Sequence, residues 1–212
     1  VDVVNMQPFV LEGGSIETDG KGTLLTTVEC LASVNRNEYL NKEQLEYHLK
    51  DFLGINRILW LENGYLAGDD TDSHIDTLAR FCDEQTIAYV QCTDETDEHF
   101  AELRAMEEEL KAFHTADGKP YRLIPLPMAD EVIWEGERLP ATYANFLIIN
   151  GAVLVPFYKS DKDKIAKEAL QKAFPDRDII GIDCCALIKQ HGSLHCVTMQ
   201  YPEEVMTMND RK

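Results

Sequence analysis

Four polar positions interrupt apolar stretches of the chain and carry groups that could do chemistry together. They are Glu12, which precedes Gly13-Gly14, and then His74, Asp76 and Cys196. A thiol can act as a nucleophile, an imidazole can move protons, and carboxylates can bind a cation. Burying such groups without partners would cost several kcal/mol, so mutual contact around one site explains them best.

Each of these residues also has an ordinary structural interpretation. A single buried cysteine is most often a small hydrophobic residue, and a histidine on a strand is most often a core residue with its hydrogen bonds satisfied. A metal site is another alternative, because thiol, imidazole and carboxylate groups are all metal ligands. A metal-dependent hydrolase that uses His74, Asp76 and Cys196 is less favoured, since the chain lacks the CxxC and HExxH spacings typical of zinc sites.

The stretch GSLHCVTMQ, residues 192–200, surrounds the last cysteine with apolar and β-branched residues, which predicts a strand. Neighbouring residues of a strand point to opposite faces. His195 and Cys196 would then face different sides, which argues against a local His-Cys pair. If Cys196 acts as a nucleophile, we expect its base to come from elsewhere in the chain.

A repeated order of elements would position these residues. Two strand-like runs around the turn Asp19-Gly20 precede a helix, which follows Asn41 and ends at Gly54, and the short strand RILWL comes next. The order strand, strand, helix, strand recurs from residue 73 and again from TYANFLII, which turns at Asn150-Gly151. LHCVTMQ would open a fourth copy.

The polar residues fall at comparable places in successive copies: Glu12 in the first, His74 and Asp76 in the second, Asn145 in the third and Cys196 in the fourth. Such units are expected to pack around a pseudo-symmetry axis, on which these residues would converge. His74 and Asp76 would share one face of a strand, and we expect Asn145 to be structural. An ordinary α+β domain is the alternative fold.

The composition is that of a globular domain, with 44% hydrophobic and 27% charged residues. A net charge of -18 disfavours nucleic acid and anionic membranes as partners and weakly favours a cationic ligand. Apolar runs are shorter than the roughly 20 residues that cross a bilayer, so we expect a cytoplasmic protein. The six cysteines lack the spacing of a disulfide framework, and we expect reduced thiols.

Five stretches of the sequence resemble agmatine deiminases and the related bacterial peptidylarginine deiminases: LEGGSIETDGKGTLLTT, NRN, GDDTDSHIDTLARF, YANFLIINGAVLVPFY and GSLHCVTMQ. The resemblance covers nearly the whole chain. It implies the pentein fold, a five-bladed α/β propeller of ββαβ units, with residues 1–212 as a single catalytic domain. It also implies a homodimer, a small cationic guanidine as substrate, and no metal or organic cofactor.

The resemblance further implies hydrolysis of agmatine to N-carbamoylputrescine and ammonia, a step of putrescine and polyamine metabolism. By motif, Cys196 matches the nucleophile that forms a covalent amidino-cysteine intermediate, and His74 matches the general acid and base. Glu12 matches the carboxylate that partners this histidine, and Asp76 matches a carboxylate that binds the guanidinium group. The alternatives are a deiminase of peptidylarginine or another guanidine, and an inactive module that retains the fold.

The sequence departs from the family pattern at three places. The family has a further guanidinium-binding aspartate upstream, in an Arg-Asp motif that this sequence does not contain. Three complete units and the opening of a fourth also fall short of five blades, so we expect the C-terminal portion of a longer chain. QHGSLHC stands where relatives have a glycine run and an asparagine. Separately, the resemblance assigns no role to Asp69 and Asp70.

Overall fold

The computed structural model describes residues 5, 6 and 9–201 of the chain. They form a mixed α/β fold of small sheets. The strands are β1 (Ile16–Thr18), β2 (Thr23–Thr27), β3 (Arg57–Leu61), β4 (Ala79–Asp83), β5 (Thr86–Gln91), β6 (Arg122–Pro127), β7 (Val132–Trp134), β8 (Glu137–Leu139), β9 (Leu147–Ile149), β10 (Ala152–Phe157) and β11 (Asp178–Asp183). The helices are α1 (Val28–Leu31), α2 (Lys42–Leu53), α3 (Phe100–Ala112) and α4 (Lys162–Ala173). Among the described residues, no helix combines the length and apolarity that crossing a bilayer requires.

Three of the sheets share one topology. In each, two strands form an antiparallel hairpin, and a helix returns the chain to a third strand that pairs in parallel with the second. The strand orders are β1-β2-β3, β4-β5-β6 and β9-β10-β11, with α2, α3 and α4 as the crossover helices. The hairpin β7-β8 separates the second unit from the third. The three ββαβ units predicted from the sequence are therefore confirmed.

Local sequence explains how the first crossover helix begins and ends. The Asn41 side chain accepts a hydrogen bond from the Gln44 N–H at 2.9 Å, and the Gln44 side chain accepts one from the Asn41 N–H at 3.0 Å. Gly54 ends the helix with a φ of 65°, in the left-handed region that favours glycine. Leu45 and Leu49 lie on the buried face of this helix.

One continuous hydrophobic core joins the three units. Leu25 of β2, Ile87 of β5 and Val153 of β10 are fully buried within it. Leu24 points to the opposite face of β2, as alternation along a strand requires, and belongs to a smaller cluster that also contains Leu49 of α2. The first sheet is thus covered on both faces, which fixes its position relative to the other units.

The first strand of each unit begins later than predicted, and the polar residues precede it. Glu12 lies before a turn of 3₁₀ helix at Gly13–Ser15, and Asn145 lies two residues before β9. His74 and Asp76 lie at the 3₁₀ turn Ile75–Thr77, so the prediction that they share the face of a strand is wrong.

The prediction of a strand at GSLHCVTMQ is also wrong. His195–Val197 form a turn of 3₁₀ helix. The backbone satisfies its hydrogen bonds locally and with the third unit, since the His195 N–H donates to the Asn145 carbonyl and the Thr198 N–H donates to the His195 carbonyl. These bonds take the place of a strand ladder.

Candidate active site

Glu12 and His74 form a direct pair. His74 Nε2 lies 3.0 Å from Glu12 Oε2. The same carboxylate oxygen accepts a hydrogen bond from Arg36 Nε at 2.6 Å. Burial raises the pKa of Glu12, but the hydrogen bonds from Arg36 and His74 outweigh this effect and hold the pKa below its usual value. The carboxylate is therefore ionised at neutral pH and can orient the imidazole.

Arg36 joins Glu12 to the loop that carries His74. Its Nη1 donates to Asp72 Oδ2 at 2.7 Å, and its Nη2 donates to the Thr71 carbonyl at 2.9 Å. The Arg36 side chain is only 10% exposed. Because the guanidinium group is planar and rigid, carboxylates on two of its sides are held in a fixed relative position.

The loop before His74 has an unusual backbone conformation, with positive φ angles of 57° at Asp72 and 61° at Ser73. Asp69 stabilises this loop. Its Oδ2 accepts a hydrogen bond from the Ser73 N–H at 2.7 Å, and its Oδ1 accepts one from the Thr71 hydroxyl at 2.6 Å. The Thr71 hydroxyl oxygen accepts a bond from the His74 N–H at 3.3 Å. Asp69, to which the resemblance assigns no role, therefore shapes the loop that positions the imidazole.

Gly14 lies against both His74 and Asp76. A β-carbon at this position would lie 2.5 Å from His74 Nδ1 and 3.1 Å from each carboxylate oxygen of Asp76. The first of these distances is shorter than β-carbon contacts in proteins, so any residue other than glycine would require the His74 ring to move. The close approach places Glu12, His74 and Asp76 in one cluster around the 3₁₀ turn that begins at Gly13.

The two carboxylate oxygens of Asp76 have different surroundings. The residue is 1% exposed, and its Oδ2 lies 2.7 Å from His195 Nδ1. Its Oδ1 is buried and has no hydrogen-bond donor among the described residues. Since buried carboxylate oxygens nearly always have a partner, Oδ1 can receive a donor from a bound molecule.

Asn145 connects Asp76 to Cys196. Its Nδ2 donates to the Asp76 carbonyl at 3.3 Å. Its Oδ1 accepts hydrogen bonds from the His195 N–H at 2.8 Å and the Cys196 N–H at 3.3 Å, and it lies 3.5 Å from Cys196 Sγ. The structure thus brings Cys196 to the cluster of Asp76 through Asn145 and His195.

Cys196 differs from the other five cysteines, because it alone is exposed among the six, all of which lie in the described part of the chain. Although the residue as a whole is exposed, burial raises the pKa of its thiol, and the negative charge of Asp76 raises this pKa further. The thiol is therefore mostly protonated at neutral pH. A cation beside Asp76 would offset the carboxylate charge and favour the thiolate.

Glu12 and His74 also belong to a candidate set of metal ligands. One ligand atom each of Glu12, Cys30 and His74 falls within 4.8 Å of the others. This set differs from the one considered from the sequence, which combined His74 with Asp76 and Cys196. The positive charge of Arg36 already lies against Glu12, and burial raises the pKa of Cys30 to about 12, so that this thiol keeps its proton at neutral pH. Both features oppose an added cation.

Comparison with known proteins identifies the family. The model of the Porphyromonas-type peptidyl-arginine deiminase family matches residues 1–202. The chain belongs to this family. A relative from Vibrio parahaemolyticus, provisionally named agmatine deiminase, is 41% identical, and the match covers 92% of this chain and 59% of that protein.

Solved structures of similar proteins have the same fold as this deiminase-family chain. A provisionally named arginine deiminase from Porphyromonas gingivalis is 61% identical with a TM-score of 0.91, over 93% of this chain and 58% of that one. A C. jejuni agmatine deiminase with substrate bound is 49% identical with a TM-score of 0.84, over 89% of this chain and 55% of that one. An amidinotransferase from Microseira wollei, 15% identical with a TM-score of 0.56, shares the fold alone. These neighbours belong to the pentein superfamily, and the chain spans less than two thirds of the length of the relatives described here.

Pattern reasoning missed two residues that organise the site of this peptidyl-arginine deiminase family member. A strand would put His195 on the opposite face from Cys196, whereas in the 3₁₀ turn both backbone N–H groups reach the Asn145 amide oxygen. Arg36 was present in the NRN stretch, but its contacts with Glu12 and Asp72 join segments that are far apart in the sequence.

Proposed function

We propose that the protein hydrolyses the guanidinium group of a small cation, with agmatine as the substrate and N-carbamoylputrescine and ammonia as the products. The observation that carries this proposal is the buried Asp76 Oδ1, which has no donor among the described residues and belongs to a cluster that includes a histidine and an exposed thiol. A guanidinium group offers N–H donors in one plane together with a positive charge. The names of the agmatine deiminase relatives support the choice of substrate.

Substrate binding would prepare the nucleophile. The negative charge of Asp76 contributes to the raised pKa of Cys196. A guanidinium group that donates to Asp76 neutralises this charge and adds a positive charge near the sulfur. Both changes lower the pKa of the thiol, so the thiol gives its proton to solvent and the thiolate forms when the substrate is in place.

The first half of the reaction would form a bond between Cys196 Sγ and the central carbon of the guanidinium group. His74 then gives a proton to the departing nitrogen, the C–N bond breaks, and ammonia leaves. The product of this step is an amidino group bound to Cys196 through sulfur. Glu12 supports the step, because its carboxylate lies 3.0 Å from His74 Nε2 and orients the imidazole.

The second half would use water. His74, now neutral, takes a proton from a water molecule that attacks the amidino carbon. The S–C bond then breaks and releases the Cys196 thiolate, the hydroxyl on the former guanidinium carbon gives its proton to solvent, and the product leaves with a carbamoyl group in place of the guanidinium group. One histidine thus acts first as an acid and then as a base.

The test is ammonia release from agmatine by the natural full-length protein and by Cys196→Ser. We expect the substitution to reduce turnover by about a thousandfold or more, because a hydroxyl is a far weaker nucleophile. Mass spectrometry of acid-quenched wild type should find the amidino adduct on Cys196. Cys185→Ser is the control and should retain turnover. An adduct on Cys184 or Cys185, or retained turnover in Cys196→Ser, would overturn the assignment of the nucleophile.

Peptidyl-arginine is the alternative substrate class, and the description of the matching family favours it. Ammonia release from agmatine and from an arginine-containing peptide should be compared at equal enzyme concentration. A higher kcat/KM for the peptide would show that peptidyl-arginine, rather than agmatine, is the preferred substrate. Binding of agmatine without release of ammonia would instead support the inactive module.

The metal-dependent hydrolase gives a different result with a chelator. A thiol hydrolase keeps its activity after treatment with EDTA, whereas a metal enzyme loses activity and regains it when zinc is added. We expect full activity after chelation, because Arg36 and the protonated Cys30 oppose a metal ion beside His74.

A further inference from the structure

Arg80 is a buried side chain that contacts three separate parts of the chain. It lies on β4 and is 5% exposed. Its Nε donates to Glu17 Oε2 at 2.6 Å, and its Nη1 donates to the Phe146 carbonyl at 2.8 Å. Its Nη2 lies 3.4 Å from His195 Nε2. One guanidinium group therefore links the first unit, the third unit and the turn that carries Cys196.

The contact with Arg80 determines which nitrogen of His195 carries the proton. A guanidinium group has only donors, so His195 Nε2 must be the acceptor. The proton of the neutral ring then lies on Nδ1. This nitrogen is 2.7 Å from Asp76 Oδ2, and His195 therefore donates to the carboxylate.

The surroundings of Arg80 fix the plane of its guanidinium group. Glu17 is 8% exposed, and its second oxygen accepts a hydrogen bond from the Phe81 N–H at 3.1 Å. The Arg80 guanidinium also lies 5.1 Å from the centre of the Phe146 ring. With an ion pair, a carbonyl and an aromatic ring around it, the group keeps Nη2 directed at His195.

We propose that Arg80 and His195 are positioning residues for Asp76. Arg80 holds His195 in the Nδ1–H form, and His195 holds Asp76 Oδ2, so that Oδ1 of the same carboxylate faces the substrate. Neither residue touches the substrate in this role. The inference rests on the proposed guanidine hydrolysis, in which Asp76 binds the cation.

Three substitutions of His195 separate the roles of its two nitrogens. In His195→Asn, the side-chain amide reaches the position of Nδ1 and keeps a donor for Asp76. In His195→Gln, the amide reaches the position of Nε2 and keeps the contact with Arg80 alone. His195→Ala removes both contacts. A purely structural role of the ring would make all three variants behave alike.

We expect His195→Gln and His195→Ala to raise the KM for agmatine about ten- to a hundredfold in the natural full-length protein, with a smaller effect on kcat. His195→Asn should stay within about threefold of the wild type. The rate at which neutral iodoacetamide alkylates Cys196 should change little in any variant, because Asn145 still holds the turn. Equal KM values for the Asn and Ala variants would overturn the inference.

A second measurement does not depend on turnover. Nitrogen-15 NMR of wild-type His195 should show a protonated Nδ1 and an unprotonated Nε2. Arg80→Lys keeps a positive charge beside Glu17 but loses the planar fork, and it should give a mixture of the two tautomers. Arg104→Lys, on an exposed face of α3, is the control and should leave His195 unchanged.

The two measurements distinguish this inference from the proposed function. A wild-type ring protonated on Nε2 would overturn the inference even if the protein hydrolyses agmatine. The expected tautomer in a protein that hydrolyses no guanidine would contradict the proposed function and leave the contact between Arg80 and His195 supported.

Discussion

Gly14 determines how closely His74 and Asp76 can approach the first unit. Gly14→Ala would place a methyl group 2.5 Å from His74 Nδ1 and force the imidazole out of its position in the site. We expect kcat/KM for agmatine to fall about a hundredfold, and the free energy of unfolding to fall by about 1–3 kcal/mol. Ammonia release and urea unfolding measure the two effects.

The neighbouring glycine provides a matched control for this prediction. A β-carbon on Gly13 would have no atom within 4 Å. Gly13→Ala should therefore change both quantities little. Equal losses in the two variants would show that flexibility of the turn, rather than the space beside His74, requires glycine.

Arg36 controls the charge of Glu12. Its hydrogen bond helps to hold the pKa of this carboxyl below the usual value, so the ionised form is favoured and is lost only as the pH falls through the lowered pKa. In Arg36→Met the pKa should rise, and the acidic limb of the pH profile of kcat/KM should move to higher pH. Arg104→Met is the control. An acidic limb that stays in place or moves to lower pH would refute the prediction.

The residue types of the site could be predicted from the sequence, but their partners could not. Glu12, His74 and Cys196 stand out because polar groups interrupt apolar stretches. Arg36 is 24 residues from Glu12, and His195 is 119 residues from Asp76. No local periodicity relates residues at such separations, so only the folded chain reveals that they are in contact.

At the scale of elements, helices and hairpins were predictable because their signals are local. The capping box at Asn41 and the glycine turn at residues 150–151 mark element ends within a few residues. The 3₁₀ turns that follow Glu12 and that carry Asp76 and Cys196 lie in stretches whose pattern predicts strands. A turn of three residues is too short to show a period, and the apolar residues beside it extend the strand pattern.

The capping box of α2 should contribute to stability without affecting the reaction. Asn41→Ala removes the side-chain acceptor for the Gln44 N–H, and we expect the free energy of unfolding to fall by about 1 kcal/mol. Asp161→Ala is the matched control, because the Asp161 side chain at the start of α4 makes no capping hydrogen bond. Urea unfolding should show a larger loss in the free energy of unfolding for Asn41→Ala than for Asp161→Ala. A larger loss in Asp161→Ala would contradict it.

The charge of the whole molecule should assist the capture of a cationic substrate. With a net charge of -18, the chain attracts a cation such as agmatine over a distance that salt shortens from about 30 Å at 0.01 M to about 8 Å at 0.15 M. We expect KM to rise about two- to tenfold over this range. Alkylation of Cys196 by neutral iodoacetamide should be nearly constant. A KM that is independent of salt would contradict this prediction and show that only contacts within the site attract the substrate.

The arrangement of the whole molecule was the least predictable level. The three ββαβ units follow from local patterns, but the way in which units close around an axis depends on contacts between them. The five-bladed propeller and the homodimer implied by the resemblance stay predictions. Light scattering coupled to size-exclusion chromatography of the natural full-length protein measures its mass and so tests the homodimer.

The three sheets and the site differ in how far apart their contacting residues lie along the chain. β1, β2 and β3 all fall within residues 16–61, whereas 62 residues separate Glu12 from His74 and 119 separate Asp76 from His195. Contacts between nearby residues form early in folding, and distant contacts require the closure of long loops. The sheets should therefore form before the site does, and on denaturation the site should come apart while the sheets persist. Inactivation by heat or urea would then occur before global unfolding, and the two midpoints would report different events.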